Sequence, residues 1–286
     1  KIRLHIGIDG LLLDAWSMKI IFYELDKLYK SIALPQLSIS FRDYVLTLKE
    51  IEKTVLYTRD KAYWLERLKS FPLAPLLPIK QNTMQLSEQK FVRCTSNINK
   101  QDWRKVQDRA KSLGLSASGL LATIYAEVLA KWSGSSHFVM NLTLFNRLPL
   151  HPQINDIVGD FTSLLLLEVD LRDKKDQCNA SSSFITRALA LQQQLWKDLD
   201  HNLYSAAEFL RELSSYNEEL TIMPVVFTCV LGFTHDKSKY DNINSQKDPA
   251  ILQMEKRIFG ITQTPQVSID YRAYEDDNEE LTVEWD

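Results

Sequence analysis

The sequence predicts a mixed α/β chain of the α+β kind, and three observations carry that prediction. Stretches with apolar residues at helical spacing alternate loosely with short runs of β-branched and aromatic residues. No glycine-rich phosphate loop interrupts that alternation. A stiff crossing segment, Phe71-Pro72-Leu73-Ala74-Pro75-Leu76-Leu77-Pro78, excludes regular structure and divides the chain into lobes 1–80 and 81–286. With 286 residues, 45% of them hydrophobic, the chain has room for one large domain or two smaller ones with real cores.

The elements follow in order. Residues 5–8 read as a strand that meets Asp9-Gly10, three leucines and Asp14. A helix then covers 15–29, with Trp16, Ile20, Leu25 and Leu28 near helical spacing and Met18, Ile21 and Phe22 widening the apolar stripe. Asp14 is placed to cap it. Phe41-Arg42-Asp43-Tyr44 opens a second helix that runs to about 68, with Trp64, Leu65 and Leu68 on its apolar side. Beyond the proline segment come a strand at 90–98 and a helix at 100–113 stopped by Gly114. Ser116 caps a helix over 117–132, which Gly134 stops. A strand at 138–145 leads through a loop holding Pro149 and Pro152 to a strand at 163–171, apolar on both faces at its start and so internal. Helices at 183–199 and 205–214 precede a strand at 225–231. Residues 235–249 are polar and aperiodic, an exposed insertion. Strands at 267–274 and 281–285 make a hairpin around Asp276-Asp277-Asn278.

Composition removes several function classes. Lys+Arg 34 against Asp+Glu 37 gives a net charge of -3, with no basic block that would mark a nucleic-acid partner. No apolar run reaches transmembrane length, so no membrane role is expected. Cys94, Cys178 and Cys229 form no CxxC pair and no disulfide framework, which suits a reducing, cytoplasmic setting. The five histidines are scattered singly, and no metal site is expected. Both ends of the chain fall in strand-like runs, so a piece of a longer polypeptide is expected.

Several polar residues stand out. Asp9 and Asp14 flank a short apolar loop, either as a turn acid and a helix cap or as a functional pair. In Val267-Ser268-Ile269-Asp270-Tyr271, alternation puts Ser268 and Asp270 on one face, where Asp270 is a solvated strand acid or a residue aimed into a site. Thr228 ends the apolar run 225–227, either as an ordinary β-former or as a buried hydroxyl in need of a partner, with Asp270 a candidate. Asn146 and Arg147 lie at a strand end before a proline loop. They are loop caps, or an amide for a substrate carbonyl and a cation for a carboxylate.

Six of these stretches, in one order and covering nearly the whole chain, resemble the heterocyclization domains of nonribosomal peptide synthetases, a branch of the condensation-domain superfamily. Asp9-Gly-Leu-Leu-Leu-Asp14 with Ala15-Trp16-Ser17 is similar to the family's DxxxxD core, which replaces the double-histidine motif of ordinary condensation domains. Phe41-Arg42-Asp43-Tyr44, the proline segment, and Asn141-Leu-Thr-Leu-Phe-Asn146-Arg147 with Gly159-Asp160-Phe161-Thr162 also fit. So do Pro224-Val-Val-Phe-Thr228 and Gln263-Thr264-Pro-Gln266-Val267 with Asp270. The resemblance implies a chloramphenicol-acetyltransferase-like bilobal fold with a tunnel between the halves, the first lobe being incomplete here. It implies no bound cofactor. Substrates arrive on the 4'-phosphopantetheine arms of an upstream donor and a downstream acceptor carrier domain, next to an adenylation domain.

The resemblance implies two reactions: condensation of an acyl thioester with carrier-bound Cys, Ser or Thr, then cyclodehydration to a thiazoline or oxazoline. Cysteine is the favoured acceptor, since its thiol is the better nucleophile at neutral pH. Cyclodehydration moves protons at the thiol, the carbonyl oxygen and the departing water, work that a carboxylate of raised pKa performs. Thr228 and Asp270 are implied to act together in that step, with Asp9 a further catalytic candidate. Asp14, Ser17 and Asp160 are implied as motif residues, with Asp14 bracing its loop through an arginine such as Arg147. Asn146, Arg147, Gln263, Thr264 and Gln266 are implied as substrate-binding residues. Two departures are Cys229 in place of a serine and Arg272 in place of a glutamine; an arginine on the Asp270 face is expected to depress the pKa of that aspartate. A condensation-only domain and a noncatalytic carrier-docking module are the alternative readings.

Overall fold

The computed structural model describes residues 6–78, 91–172, 183–231, 264, 266–276 and 278–286. They form two compact units, each discontinuous in sequence. The first takes its described residues from Lys1–Thr58 and Leu144–Ser163, the second from Arg59–Thr143, Leu164–Lys237 and Gly260–Asp286. His5, Cys178, Gln263, Asp277 and the expected insertion at 235–249 lie outside the described residues.

In the first unit, α1 (Ala15–Tyr29) starts where the Asp14 carboxylate accepts from the Ser17 backbone N–H, the predicted cap. The strand expected at 5–8 is corrected: the described residues 6–8 join no ladder, and Ile6 and Ile8 are 45% and 40% exposed. Apolar alternation marks a strand only where a partner edge exists. α2 (Phe41–Ile51) opens with a reciprocal capping box between Ser40 and Asp43. It buries Tyr44 against Ile154, Ile157 and Phe161, with Phe41, Leu48 and Leu148 around them.

The single helix expected over 41–68 is two helices, and a three-residue 3-10 turn, Leu68–Ser70, follows the second. The break is at Thr54, whose hydroxyl donates to the Ile51 carbonyl at 2.7 Å and accepts from the Tyr57 N–H at 3.3 Å. A threonine that captures nearby backbone groups competes with the helix ladder and caps the next turn. The second helix is α3 (Val55–Arg67).

One six-stranded sheet has the order β1-β6-β5-β4-β2-β3. Its strands are β1 (Cys94–Ile98), β2 (His137–Phe145), β3 (Thr162–Asp170), β4 (Val225–Val230), β5 (Ile269–Glu275) and β6 (Leu281–Trp285). β4 runs parallel to both β2 and β5, while β6 is antiparallel to β5 and β1. The hairpin of β5 and β6 is as predicted, its turn held by the Asp276 carboxylate accepting from the N–H groups of Asn278 and Glu280. β3, expected inside the sheet, stands at one end of the described order. Its Leu165, Leu166 and Leu167 are nevertheless buried. Side-chain packing can hide both faces of an edge strand, and an apolar run does not tell that apart from flanking strands.

Four helices complete the second unit: α4 (Lys100–Ser112), α5 (Ala117–Ser133), α6 (Phe184–Leu199) and α7 (Ala206–Asn217). Ser116 caps α5, and Gly134 ends it at φ 67, a left-handed geometry that glycine adopts without strain. α5 lies on one face of the sheet: the Tyr125 ring stacks on Tyr271 and Phe227 at 4.7 and 5.9 Å and meets Trp285 edge-on at 5.4 Å. Among the described residues no single helix is long and apolar enough to cross a membrane; α4 and α5 together pass that test of length and composition but meet at 96°.

Candidate functional site

The predicted residues gather in two places, one in each unit. In the first, Asp14, Ser17 and Arg147 converge on Gly159. The Ser17 hydroxyl donates to the Gly159 carbonyl at 2.8 Å and accepts from the Gly159 N–H at 3.1 Å. Arg147 reaches Asp14 at 3.0 Å and the Ser17 hydroxyl at 2.9 Å through Nη2, and the carbonyls of Ile154 and Ile157 through Nη1, both at 2.9 Å. Its guanidinium lies 3.8 Å from the Phe161 ring centroid. The Asp14 and Arg147 side chains are 0% and 7% exposed. Burial pulls the Arg147 pKa down and Asp14 opposes the fall. The expected brace between Asp14 and Arg147 is therefore present, and the arginine expected to meet substrate spends both terminal nitrogens inside the protein.

The remaining motif residues of this unit sit around that brace. Asp9 is exposed, and its carboxylate accepts from the Leu11 N–H at 3.0 Å, an Asx turn. Asp160 does the same with the Thr162 N–H at 3.0 Å where β3 begins. The backbone of Asn146 is fixed at both ends, its carbonyl accepting from the Tyr44 hydroxyl at 2.7 Å and its N–H donating to Phe161 at 3.0 Å.

The second place is the face of the sheet turned away from α5. Register pairs Asn141 with Val226 and Val226 with Asp270. The next row on the same face is Thr143, Thr228, Arg272, Glu284 and Thr95. Thus one side of the sheet is aromatic and packed, while the other is lined by hydroxyls, an amide and charges. Thr228 and Asp270 share that polar face, as alternation predicts for Asp270. Thr228, however, donates to the Thr143 hydroxyl at 3.0 Å and not to Asp270.

Electrostatics on this face overturn one expectation. Burial raises the Asp270 pKa and outweighs Arg272 and Arg93, which pull it down; Glu284 adds to the rise. Arg272 fails to hold the carboxyl low because it is shared. It bonds Asp286, stands 3.8 Å from Glu284, and reaches Asp270 only at 3.6 Å. Arg93 is engaged in the same way, forking onto Asp286 at 2.6 and 2.5 Å and lying 3.3 Å from Glu284. The Asp270 side chain is 13% exposed, and its Oδ1 has no hydrogen-bond partner among the described residues.

Cys229 follows Thr228 and so projects to the helix side, where burial pushes its thiol up to about 12. Thr264 and Gln266 are exposed in the turn before β5, with the Thr264 carbonyl accepting from Val267 at 3.3 Å and Gln266 in a left-handed conformation at φ 67. Asn141, Thr143 and Arg93 were not singled out by the sequence reading as site residues. For Asn141 and Thr143 the signal is the alternation in His-Phe-Val-Met-Asn-Leu-Thr-Leu-Phe, where both break an apolar strand at a two-residue interval; Arg93 has no such signal.

The family model described as "Condensation domain" matches residues 7–286. Bacitracin synthase 1 of Bacillus licheniformis is 34% identical over 98% of this chain, which corresponds to 5% of the synthase. Phenyloxazoline synthase MbtB of Mycobacterium tuberculosis is 32% identical over 100% of the chain and 19% of its own length. The EpoB NRPS cyclization-docking bidomain from Sorangium cellulosum superposes with a TM-score of 0.77 at 33% identity, over 97% of this chain and 53% of that one. The chain thus spans a small fraction of the curated relatives it matches and about half of the bidomain. Its fold, its motif order and these matches establish that the chain belongs to the condensation-domain family of nonribosomal peptide synthetases.

Proposed function

We propose that this chain is a heterocyclization domain. It joins a carrier-bound acyl thioester to a carrier-bound Cys, Ser or Thr and then closes the new amide into a thiazoline or oxazoline. The observation that carries the proposal is Asp270: a carboxyl on the same polar sheet face as Thr228, with one oxygen unpartnered among the described residues and a pKa raised by burial. Likeness to a phenyloxazoline synthase and to a cyclization domain supports the same reading.

Ring closure balances as follows. The acceptor side chain gives up its S–H or O–H proton as sulfur or oxygen bonds the amide carbon, and the carbonyl oxygen becomes a hydroxyl. The C–O bond then breaks, the hydroxyl takes a proton and leaves as water, and loss of the nitrogen proton completes C=N. A carboxyl of raised pKa serves as both acceptor and donor in these steps. Asp270 takes that role, and the Thr228–Thr143 pair orients the substrate oxygen. The family's motifs give Asp9, Asn146, Gln263, Thr264 and Gln266 as further candidates for substrate contact, while Asp14, Ser17, Asp160 and Arg147 hold the loops of the first unit in place. The proposed lobes, 1–80 and 81–286, follow the proline crossing, whereas the compact units put residues 59–78 in the second. The partners are donor and acceptor carriers with 4'-phosphopantetheine arms, alongside an adenylation domain.

The test is intact-mass measurement of the acceptor carrier in the synthetase that contains this chain. Condensation followed by loss of one water, with Asp270→Ala retaining condensation and losing the dehydration, supports the proposal. A condensed product that never dehydrates makes the domain condensation-only, and no condensation favours a docking module.

A further inference from the structure

We infer that the groove between α4, α5 and α6 is a binding site for a linear acyl chain ended by a carboxylate, with Arg109 taking the carboxylate. Such a site is independent of the proposed function. The concavity holds about 310 Å³. That is the lower end of the range for small-molecule sites, about 300–1,000 Å³. Ala110 and Leu115 lie buried in its floor, 3% and 5% exposed. Leu113, Leu120, Phe184 and Ile185 wall it, and Phe184 keeps 37% of its surface open.

The residue pattern of α4 supplies the headgroup contact. Trp103, Val106 and Ala110 recur at helical spacing, with Leu113 following one turn on, and this stripe packs inward. Lys105 and Arg109 are four residues apart, so they stand together along one edge of the stripe, and both line the groove. Lys105 is held by Asp102 at 2.8 Å, whereas Arg109 makes no ion pair among the described residues. The helix carries five cations, Lys100, Arg104, Lys105, Arg109 and Lys111, against Asp102 and Asp108, a net +3 in a chain of net charge -3. A guanidinium fork receives a carboxylate through two parallel bonds. Apolar walls disfavour a bare inorganic anion, and the cation favours a chain that bears a charge over one that does not. A stable protein interface takes roughly 20–30 residues from each partner, against the nine that frame this groove. Counting roughly 30 Å³ per heavy atom, the share of one liquid water, the concavity admits a chain of about ten carbons.

Photoaffinity labelling of the intact synthetase reads the site directly. The probe is a ten-carbon carboxylate with a diazirine at its far end, and the labelled residues are mapped by peptide mass spectrometry. Saturable labelling within α4 and at residues 184–185 is expected. Decanoate should compete for it, and decanol, which keeps the chain and loses the charge, should compete about tenfold less well. Arg109→Gln should raise the half-labelling concentration about tenfold, with Arg109→Lys within about threefold of wild type. Phe184→Glu puts a like charge on the groove wall and should raise it at least as far. Both positions are solvent-exposed, and both new residues suit a helix. The comparison of decanoate with decanol uses wild type alone and decides the matter if a variant melts early. Labelling that does not saturate, that maps away from these helices, that decanol suppresses as well as decanoate does, or that a folded Arg109→Gln leaves within twofold of wild type overturns the assignment.

Discussion

Arg147→Met tests the brace of the first unit most directly. The change keeps an apolar stem against Phe161 but removes the guanidinium from Asp14, Ser17 and the carbonyls of Ile154 and Ile157. The partner carboxylate is fully enclosed, so solvent screening gives no relief. Removing one member of a buried ion pair leaves an uncompensated charge and costs about 3–5 kcal/mol. Asp14→Asn is milder, because asparagine also caps a helix, and its cost is about 1.5–3 kcal/mol for the lost charge-assisted bonds. The double variant removes both charges and recovers about 1–3 kcal/mol relative to the sum of the singles. Urea unfolding followed by 19F NMR of 5-fluorotryptophan reads the correct unit. Trp16 belongs to the first unit, and the other five, Trp64, Trp103, Trp132, Trp196 and Trp285, all belong to the second. A loss below about 1 kcal/mol at the Trp16 resonance for Arg147→Met, or strict additivity in the cycle, refutes the reasoning.

Two further outcomes are expected. A Cβ at Gly159 would run into the Phe41 ring, so Gly159→Ala should cost about 1–3 kcal/mol in urea unfolding, with part of it restored by Phe41→Leu; an unchanged midpoint contradicts the packing. Asp270→Asn should stabilise the protein at neutral pH. Because the folded carboxyl titrates above its unfolded value, its favourable contribution is full below the unfolded pKa and is lost as pH rises through the folded one. The melting-temperature advantage of the asparagine variant should therefore be near zero in acid and grow to a plateau toward neutrality, and a variant less stable than wild type at pH 7.5 rules this out.

Features governed by local chemistry were legible from the residues. Asp14, Ser116 and Gly134 mark helix ends through their own side chains or backbone freedom, and the structure has them in those roles. Alternation placed Asp270 on the polar face, and the charge of Arg147 made it a natural partner for Asp14. What depended on distant chain was not legible. Arg272 sits two residues from Asp270, and proximity alone predicts a depressed carboxyl. The actual balance is set first by burial of the carboxyl, which outweighs an arginine already shared with Asp286 and Glu284. The break at Thr54 rests on one hydroxyl choosing backbone partners, an option open to any threonine in a helix. Asn141 and Thr143 were hidden because their neighbours made β2 read as core, and only the register with β4 and β5 gives their face a meaning.

The placement of Cys229 bears on selectivity among thiols. Under the proposed function the domain meets thioesters, which exposes it to a side reaction, capture of the acyl group by one of its own cysteines. Exchange needs the thiolate, and a thiol near 12 is ionised to only about one part in 10⁵ at pH 7. Set on the helix side of β4 and kept protonated by its surroundings, Cys229 is a spectator one residue away from Thr228. On that proposal an acyl group finds no ionised thiol at this point of β4, and a thiol delivered on a carrier arm meets no rival from Cys229.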